Sequence, residues 1–490
     1  MKLNLSSLTD IALASHPAAT RNHEQGLAFE ADPRLALYLS ACTCLFEDKF
    51  YTHRAQELTR LRALIQRNDR KFVLQLAHYA RTTLHLRTLP LILLAEASQL
   101  GESPQAAKAD LRAYVPRIVR RADEPAELLA YWITAIGQGR KHKLPNALKK
   151  GLVDALKPFD AYQLAKYNRA GKVRLRDVLR LVHPKPSSPE QATLWRQVLD
   201  DQLPTPDTWE VVISTQGAKR ETWEAIAPRM GILALVRNLR NFEKHGAEAA
   251  IQRALAVITD PEQVRQSQLL PFRWLAAERE VTDPRLRNGL RTALELSLGN
   301  LPRWSGSTAV FVDLSGSMHS PLSSHSSLQY VDVATLMGAM ARHLCGGEVL
   351  VGAFGETYRD VFLPAGDSVL SNTERLRQSN VGHATNAWLS LQALRQRKQK
   401  VDRVLIFSDM QCYDSSQGNA SLAAQWQAYR REVNRDALLY SVDLSGYGTL
   451  QFPPQAPGVV FLAGWSERVL DIIPAYETRA DILAQIASTY

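Results

Sequence analysis

Cysteine is scarce in this chain: four in 490 residues, Cys42, Cys44, Cys345 and Cys412. Two are separated by one residue and the others lie far away, which excludes a disulfide framework and a zinc-ligand spacing. Reduced thiols in a cytoplasmic protein are the reading that remains. Long apolar runs are also missing. No uninterrupted stretch approaches the roughly 20 residues that cross a bilayer, so no membrane partner is expected. Met1 to Thr20 carries Lys2 as its one basic residue and Asp10 interrupts its apolar stretch, so it reads as neither a signal nor a transit peptide.

What the chain does have is length for two or three cores and positive charge, unevenly spread. The net charge is +10. Between Lys108 and Lys185 there are 18 basic residues against 7 acidic ones, whereas from residue 306 onward 14 basic residues face 17 acidic ones. A polyanion partner for the first stretch follows from electrostatics.

Residues 26 to about 300 read as successive helices: apolar faces at Leu58–Ile65, Phe72–Ala77, Leu89–Ala95, Ala126–Ile136, Leu148–Leu156, Val173–Val182, Ile232–Leu239 and Gln263–Ala276 recur at helical spacing. Prolines punctuate them. Paired helices without one long core predict an α-helical repeat of HEAT-like type. Beyond a linker near Asn300–Gly306 the pattern changes. Strands are predicted at 308–314, 348–354, 358–363, 403–408, 437–442 and 459–463, with helices at 328–344, 386–397, 420–433 and 479–488. This alternation predicts a mostly parallel sheet with helices on both faces, and an antiparallel edge from a hairpin over 348–363. The organisation expected is an N-terminal arm over 1–25, a helical region over 26–303 and an α/β, Rossmann-like domain over 304–490.

Val312-Asp313-Leu314-Ser315-Gly316-Ser317 carries the chemistry of the second half. An Asp-x-Ser-Gly-Ser loop after a buried strand is the pattern of a metal-ion-dependent adhesion site on a von Willebrand A-type domain. Ligands of such sheets bind at the carboxyl ends of the strands. Asp313, Ser315, Ser317, Thr385 and Asp409 together offer five hard-oxygen groups suited to Mg²⁺, with Mn²⁺ or Ca²⁺ as alternatives. Two acidic groups leave the ion under-neutralised, with a position open to a partner's carboxylate or phosphate oxygen. A capped strand-to-helix turn is the bland alternative. A phosphotransferase of haloacid-dehalogenase type would need a second Asp where Ser315 stands, and no Gly-x-Ser-x-Gly elbow is formed. No further carboxylate cluster or general base accompanies Asp313, so no catalytic activity is expected.

The basic stretch holds Lys166, Arg169, Lys172, Arg174, Arg176, Arg180, His183 and Lys185 within twenty residues, preceded by Arg140, Lys149 and Lys150. On helices and turns these side chains track phosphates, with salt-sensitive affinity. Aromatics are thin there (Tyr162, Tyr167), so shape recognition of structured RNA fits better than base stacking. A solvated basic helix face, with His183 as a packed or capping residue, is the competing reading.

Leu164-Ala165-Lys166-Tyr167 and Arg176-Asp177-Val178-Leu179-Arg180-Leu181-Val182-His183-Pro184-Lys185-Pro186 resemble the Ro autoantigen or TROVE family. Supporting matches are Trp223-Glu224-Ala225, Ile232 to Asn241 and Leu270-Pro271-Phe272, and the resemblance runs over roughly residues 24 to 470. It implies a monomeric, bacterial Ro-like ribonucleoprotein in which a helical-repeat ring is clasped by a von Willebrand A-like domain. It implies Y-like small RNAs on the ring's outer face, ends of misfolded noncoding RNAs in its hole, and an exoribonuclease such as polynucleotide phosphorylase as a partner. Lys166 and His183 match positions the family uses for Y RNA. A third basic position falls at Ala170, with Arg169 one residue earlier. The family's Gly-Gly-Thr-Asp loop is replaced by His383-Ala384-Thr385-Asn386. The rival function is a scaffold that uses a metal on the A-type domain to grip an acidic partner.

Overall fold

A computed structural model describes residues 12–44, 54–101, 110–137, 143–168, 171–323, 326–413, 421–464, 468–478 and 482–489. The chain divides into two compact units that interleave in sequence. One contains Met1–Leu61 and Ala227–Ile482, the other Arg62–Ile226 and Leu483–Tyr490.

The first unit is built on a six-stranded sheet. β1 (Ala19–Arg21), β2 (Leu27–Glu30) and β8 (Thr449–Leu450) stand apart from it. β3 (Thr308–Asp313), β4 (Val349–Phe354), β5 (Tyr358–Asp360), β6 (Arg403–Ser408), β7 (Leu438–Asp443) and β9 (Val459–Ala463) form it in the order β5-β4-β3-β6-β7-β9. All pairings are parallel except β4–β5. β3 and β6 are buried throughout, which is why their sequences are unbroken runs rather than alternations. The helix Tyr330–Leu344 covers β3, β4 and β6. It sits so close that a Cβ on Gly338 would come within 2.7 Å of Val312 Cγ2. From β3 the chain crosses to β4 on one side, then returns to β6 on the other. The reversal places a topological switch point at the carboxyl ends of β3 and β6, where such sheets bind ligands.

Arg403, 2% exposed at the start of β6, is a buried charge in this core. Its guanidinium donates to Glu477 at 2.5 and 2.9 Å, to Thr308 Oγ1 at 2.9 Å and to the Ser305 carbonyl at 2.6 Å. A buried charge needs that full set of partners. A second clamp joins the helix Pro271–Arg279 to the A-type domain. Arg279 reaches both carboxylate oxygens of buried Asp332 at 2.7 Å, and Arg377 lies 3.2 Å from Oδ1. Burial alone would raise the Asp332 carboxyl. The Arg279 contacts, the Gln329 N–H and Arg377 outweigh it and hold the group below the usual carboxylate range.

Helices of the same unit pack in succession: Ile232–Lys244 on Glu248–Ile258, and Pro271–Arg279 on Pro284–Ser297. The second unit repeats the theme with Arg70–Thr82 on Thr88–Ala97, Leu111–Ile118 on Asn146–Leu156, and Leu175–Val182 on Pro189–Leu199. The chain end returns to this unit: Gln75 Nε2 donates to the Ala487 carbonyl at 2.6 Å. Asp69, Asp110, Asp160, Asp260 and Asp283 cap helix N-termini with their carboxylates, which satisfies donors that lack helical partners. None of the four cysteines forms a disulfide.

The sequence reading differs from this architecture in four places. Residues 19–30 lie in the region read as an arm and the first helices, yet form the β1–β2 hairpin, which pairs Phe29 with Leu450 of β8. The helices Val369–Arg377 and Arg468–Thr478 were not anticipated. The single helix expected over 263–276 is two, Pro261–Ser267 and Pro271–Arg279, because Gln268 takes a left-handed φ of 51° and Pro271 restarts the helix. Pro116 sits inside the helix Leu111–Ile118 instead of bounding one.

Candidate metal centre and nucleic-acid interface

Hard oxygens gather at the carboxyl ends of β3 and β6. Asp313 closes β3 and is fully buried. Its Oδ1 accepts the Ser315 N–H at 2.8 Å, and its Oδ2 accepts the Ser408 hydroxyl of the neighbouring strand at 2.5 Å. The first bond turns the chain into the short 3-10 helix Gly316–His319, which carries Ser317. Asp409 follows β6 directly, and its Oδ1 accepts the Gln411 N–H at 3.0 Å.

Backbone bonds stitch the third loop to the other two. The Gly316 N–H donates to the His383 carbonyl at 2.9 Å, and the Tyr413 N–H to the Thr385 carbonyl at 2.7 Å. The structure therefore brings Asp313, Ser315, Ser317, Thr385 and Asp409 to one place, all buried. The departures from the family loop are accommodated. His383 serves through its backbone, and Asn386 Nδ2 donates to the Glu356 carbonyl at 3.0 Å, a bond an ionised Asp could not make.

The electrostatics of this cluster are unbalanced. Burial pushes the Asp313 carboxyl up, against bonds from Ser315 and Ser408. Burial also raises Asp409, and the charge of Asp313 adds to it. Neither carboxylate forms an ion pair among the described residues. Ser315 Oγ and Asp409 Oδ2 are buried without a well-formed hydrogen bond. Two buried carboxylates, orphaned oxygens and three hydroxyls fit a hard divalent cation. Among the described residues no group of three or more His, Cys, Asp or Glu side chains is placed to hold a metal.

Several contributing residues escape a reading of the motif alone. Ser408 orients Asp313. The β1–β2 hairpin steadies the Asp409 loop: Asn22 Nδ2 donates to the Cys412 carbonyl at 2.6 Å and the His23 N–H to Gln411 Oε1 at 2.9 Å. The pentapeptide Val312-Asp313-Leu314-Ser315-Gly316 also recurs as Val442-Asp443-Leu444-Ser445-Gly446 at the end of β7. Asp443 Oδ1 accepts the Ser445 and Gly446 N–H groups at 2.9 and 2.7 Å, the same turn in a second setting. Arg60 lies across it, donating to the Gly446 carbonyl at 2.9 Å and acting electrostatically on Asp443.

The basic surface belongs to the second unit. Leu175, Val178 and Leu179 bury one face of the helix Leu175–Val182 and leave Arg180 exposed. His183 caps it in the left-handed region (φ 46°), with its N–H on the Leu179 carbonyl at 3.0 Å and its side chain exposed. Lys172, Lys185 and Lys150 are exposed, Lys149 and Lys166 half-buried. None of these seven side chains has an ion-pair partner among the described residues. Arg176 differs: Asp201 holds it at 2.5 Å and also lies 3.5 Å from Arg174. Arg140 and Arg169 lie outside the described residues.

The TROVE domain pattern matches residues 39–203 and 200–321, and the Ro60 vWA domain pattern matches residues 308–477. The fold is similar to the crystal structure of the Ro (RSR) protein of Deinococcus radiodurans, with a TM-score of 0.65 and 19% sequence identity over 89% of this chain and 98% of that one. A stretch of 122 residues, 24% of this chain, is 32% identical to telomerase protein component 1 of Rattus norvegicus and spans 4% of that protein's length. No described helix is long and apolar enough to cross a membrane. With helices leading into an A-type domain, and with matches covering both parts, this chain belongs to the TROVE domain family.

Proposed function

We propose that this chain is a non-catalytic RNA-binding protein that holds a Y-like small structured RNA and the ends of misfolded noncoding RNAs, acting as a cytoplasmic monomer in RNA quality control or processing. The observation that carries the reading is the set of unpaired basic side chains around Lys166, Arg180 and His183, on a member of a family of RNA-binding ribonucleoproteins. Exposed cations without carboxylate partners cost little in the free protein and release counterions from a phosphate backbone on binding. Arg176 contributes less, because Asp201 already neutralises it. An exoribonuclease such as polynucleotide phosphorylase would use the RNA delivered by this protein. The test is RNA affinity of the double variant Lys166→Ala, His183→Ala. A loss of tenfold or more supports the reading, and wild-type affinity contradicts it.

A second reading concerns the A-type domain. We infer that Asp313, Ser315, Ser317, Thr385 and Asp409 hold Mg²⁺, or Mn²⁺ or Ca²⁺, and that the ion grips an acidic group of a partner. The buried, uncompensated carboxylate pair favours it. Calorimetric titration with Mg²⁺ checks it: heat of binding that Asp313→Ala abolishes is expected, and an absence of Mg²⁺ binding by the wild type rejects it.

A further inference from the structure

The helix Ala161–Tyr167 holds an arrangement that charge counting does not reveal. Lys166 Nζ lies 5.8 Å from the centroid of the Tyr162 ring and 5.7 Å from that of Tyr167. The Arg121 guanidinium lies over Tyr167 at 4.7 Å, and Asp123 fixes it through two bonds of 3.2 and 3.3 Å. Tyr167 is thus packed between cations, whereas Tyr162 is 51% exposed. The nearby Asp160 carboxylate is engaged as the helix cap, accepting the Gln163 N–H at 2.7 Å, and does not pair with Lys166.

The cluster also lies beside the basic helix. Leu175–Val182 packs against both Glu124–Tyr131 and Asn146–Leu156, and Arg121 lies three residues before the first of these. An exposed ring with an ammonium over one face and further cations on adjoining elements has the parts of a nucleotide site: a π-system for a base and a charge for its phosphate.

We propose that Tyr162 is a stacking platform for an unpaired base of the bound RNA, and that Lys166 takes the phosphate of the same nucleotide. This rests on the RNA-binding reading and deepens it, since shape recognition of a duplex does not use a base-stacking ring. Stacking on an aromatic side chain is sequence-tolerant, so the site selects unpaired over paired nucleotides and not one base over another.

The experiment compares wild type, Tyr162→Ala, Tyr162→Phe and Lys166→Ala on two RNAs: a hairpin with an unpaired loop, and a blunt duplex of the same stem sequence. Tyr162→Ala is expected to weaken hairpin binding by about fivefold or more and to leave duplex binding unchanged. Tyr162→Phe keeps wild-type affinity, and Lys166→Ala weakens both. Equal weakening of both RNAs by Tyr162→Ala, or no change with either while Lys166→Ala still weakens both, overturns the stacking site and leaves RNA binding intact. A wild type that binds neither RNA overturns both. Thermal unfolding of Tyr162→Ala at the wild-type midpoint excludes misfolding as the cause, as an exposed ring leads one to expect.

Discussion

Two regions of this molecule carry charge without local compensation, and they differ in sign and in burial. The helical unit shows surplus cations on its surface around Lys166 and His183. The A-type domain keeps surplus carboxylates inside, at Asp313 and Asp409. The first surplus is cheap, because water solvates each ammonium, and it suits a large polyanion that leaves and returns. The second is expensive, because a buried unpaired charge costs several kcal/mol, and it suits a small cation that stays. The recurring Val-Asp-Leu-Ser-Gly turn makes the point within one sheet. The Asp443 copy has Arg60 across it, while the Asp313 copy has hydroxyls and a second carboxylate. The same five residues make a turn with an arginine beside it in one place and, in the other, a turn whose buried carboxylates have no cation among the described residues.

Removing the arginine gives the largest effect. Arg60→Met removes the bond to the Gly446 carbonyl and the positive charge acting on buried Asp443, with an expected loss of about 3 kcal/mol in urea unfolding. Adding Asp443→Asn should restore part of it, and an Arg60→Met variant as stable as wild type would erase the distinction between the two turns. Supplying the missing cation to the Asp313 turn comes next. Mg²⁺ at a hundredfold excess over its dissociation constant should stabilise the protein by about 2.7 kcal/mol. Asp313→Asn should abolish that response and Asp443→Asn should preserve it, as read by thermal shift.

Asp332 extends the comparison to a carboxylate with two arginines. Its folded value lies below the ordinary one, so its contribution is present above the ordinary Asp range and is lost as pH falls through the folded value. Asp332→Asn should therefore destabilise the protein at neutral pH and flatten the acid limb of its stability curve. An unchanged acid limb would remove the clamp from the account. The smallest effect is expected at Gln411, which receives the His23 N–H and follows Asp409 by two residues. Gln411→Ala should cost about 1 kcal/mol and weaken the Mg²⁺ response without abolishing it.

Much of this was legible in the sequence, for local reasons. β3 and β6 each hold a run of four apolar residues, β3 ends in Asp and β6 is followed by one, and the strands Arg403–Ser408 and Val459–Ala463 lie where the pattern puts them. The five oxygen ligands proposed from spacing converge because β3 and β6 are neighbours at a switch point. What stayed hidden depends on distant partners. β1, β2 and β8 have three, four and two residues, too few for periodicity, and exist through the pairing of Phe29 with Leu450. The cation acting on Asp443 comes from Arg60, far away in the sequence. The pairing of Arg176 with Asp201 follows from a turn after the next helix, so a count of basic residues overstates the positive surface.

The central claim is that the unpaired cations of the helical unit form the RNA surface, and the salt dependence of RNA affinity tests it most directly. Affinity for a structured RNA should fall steeply and linearly on a log–log plot as salt rises. Replacing Lys166 with alanine should lower the slope by about one unit, and replacing Arg176, which Asp201 already holds, should lower it less. An affinity that ignores ionic strength, or a slope that Lys166→Ala leaves unchanged, would contradict the account.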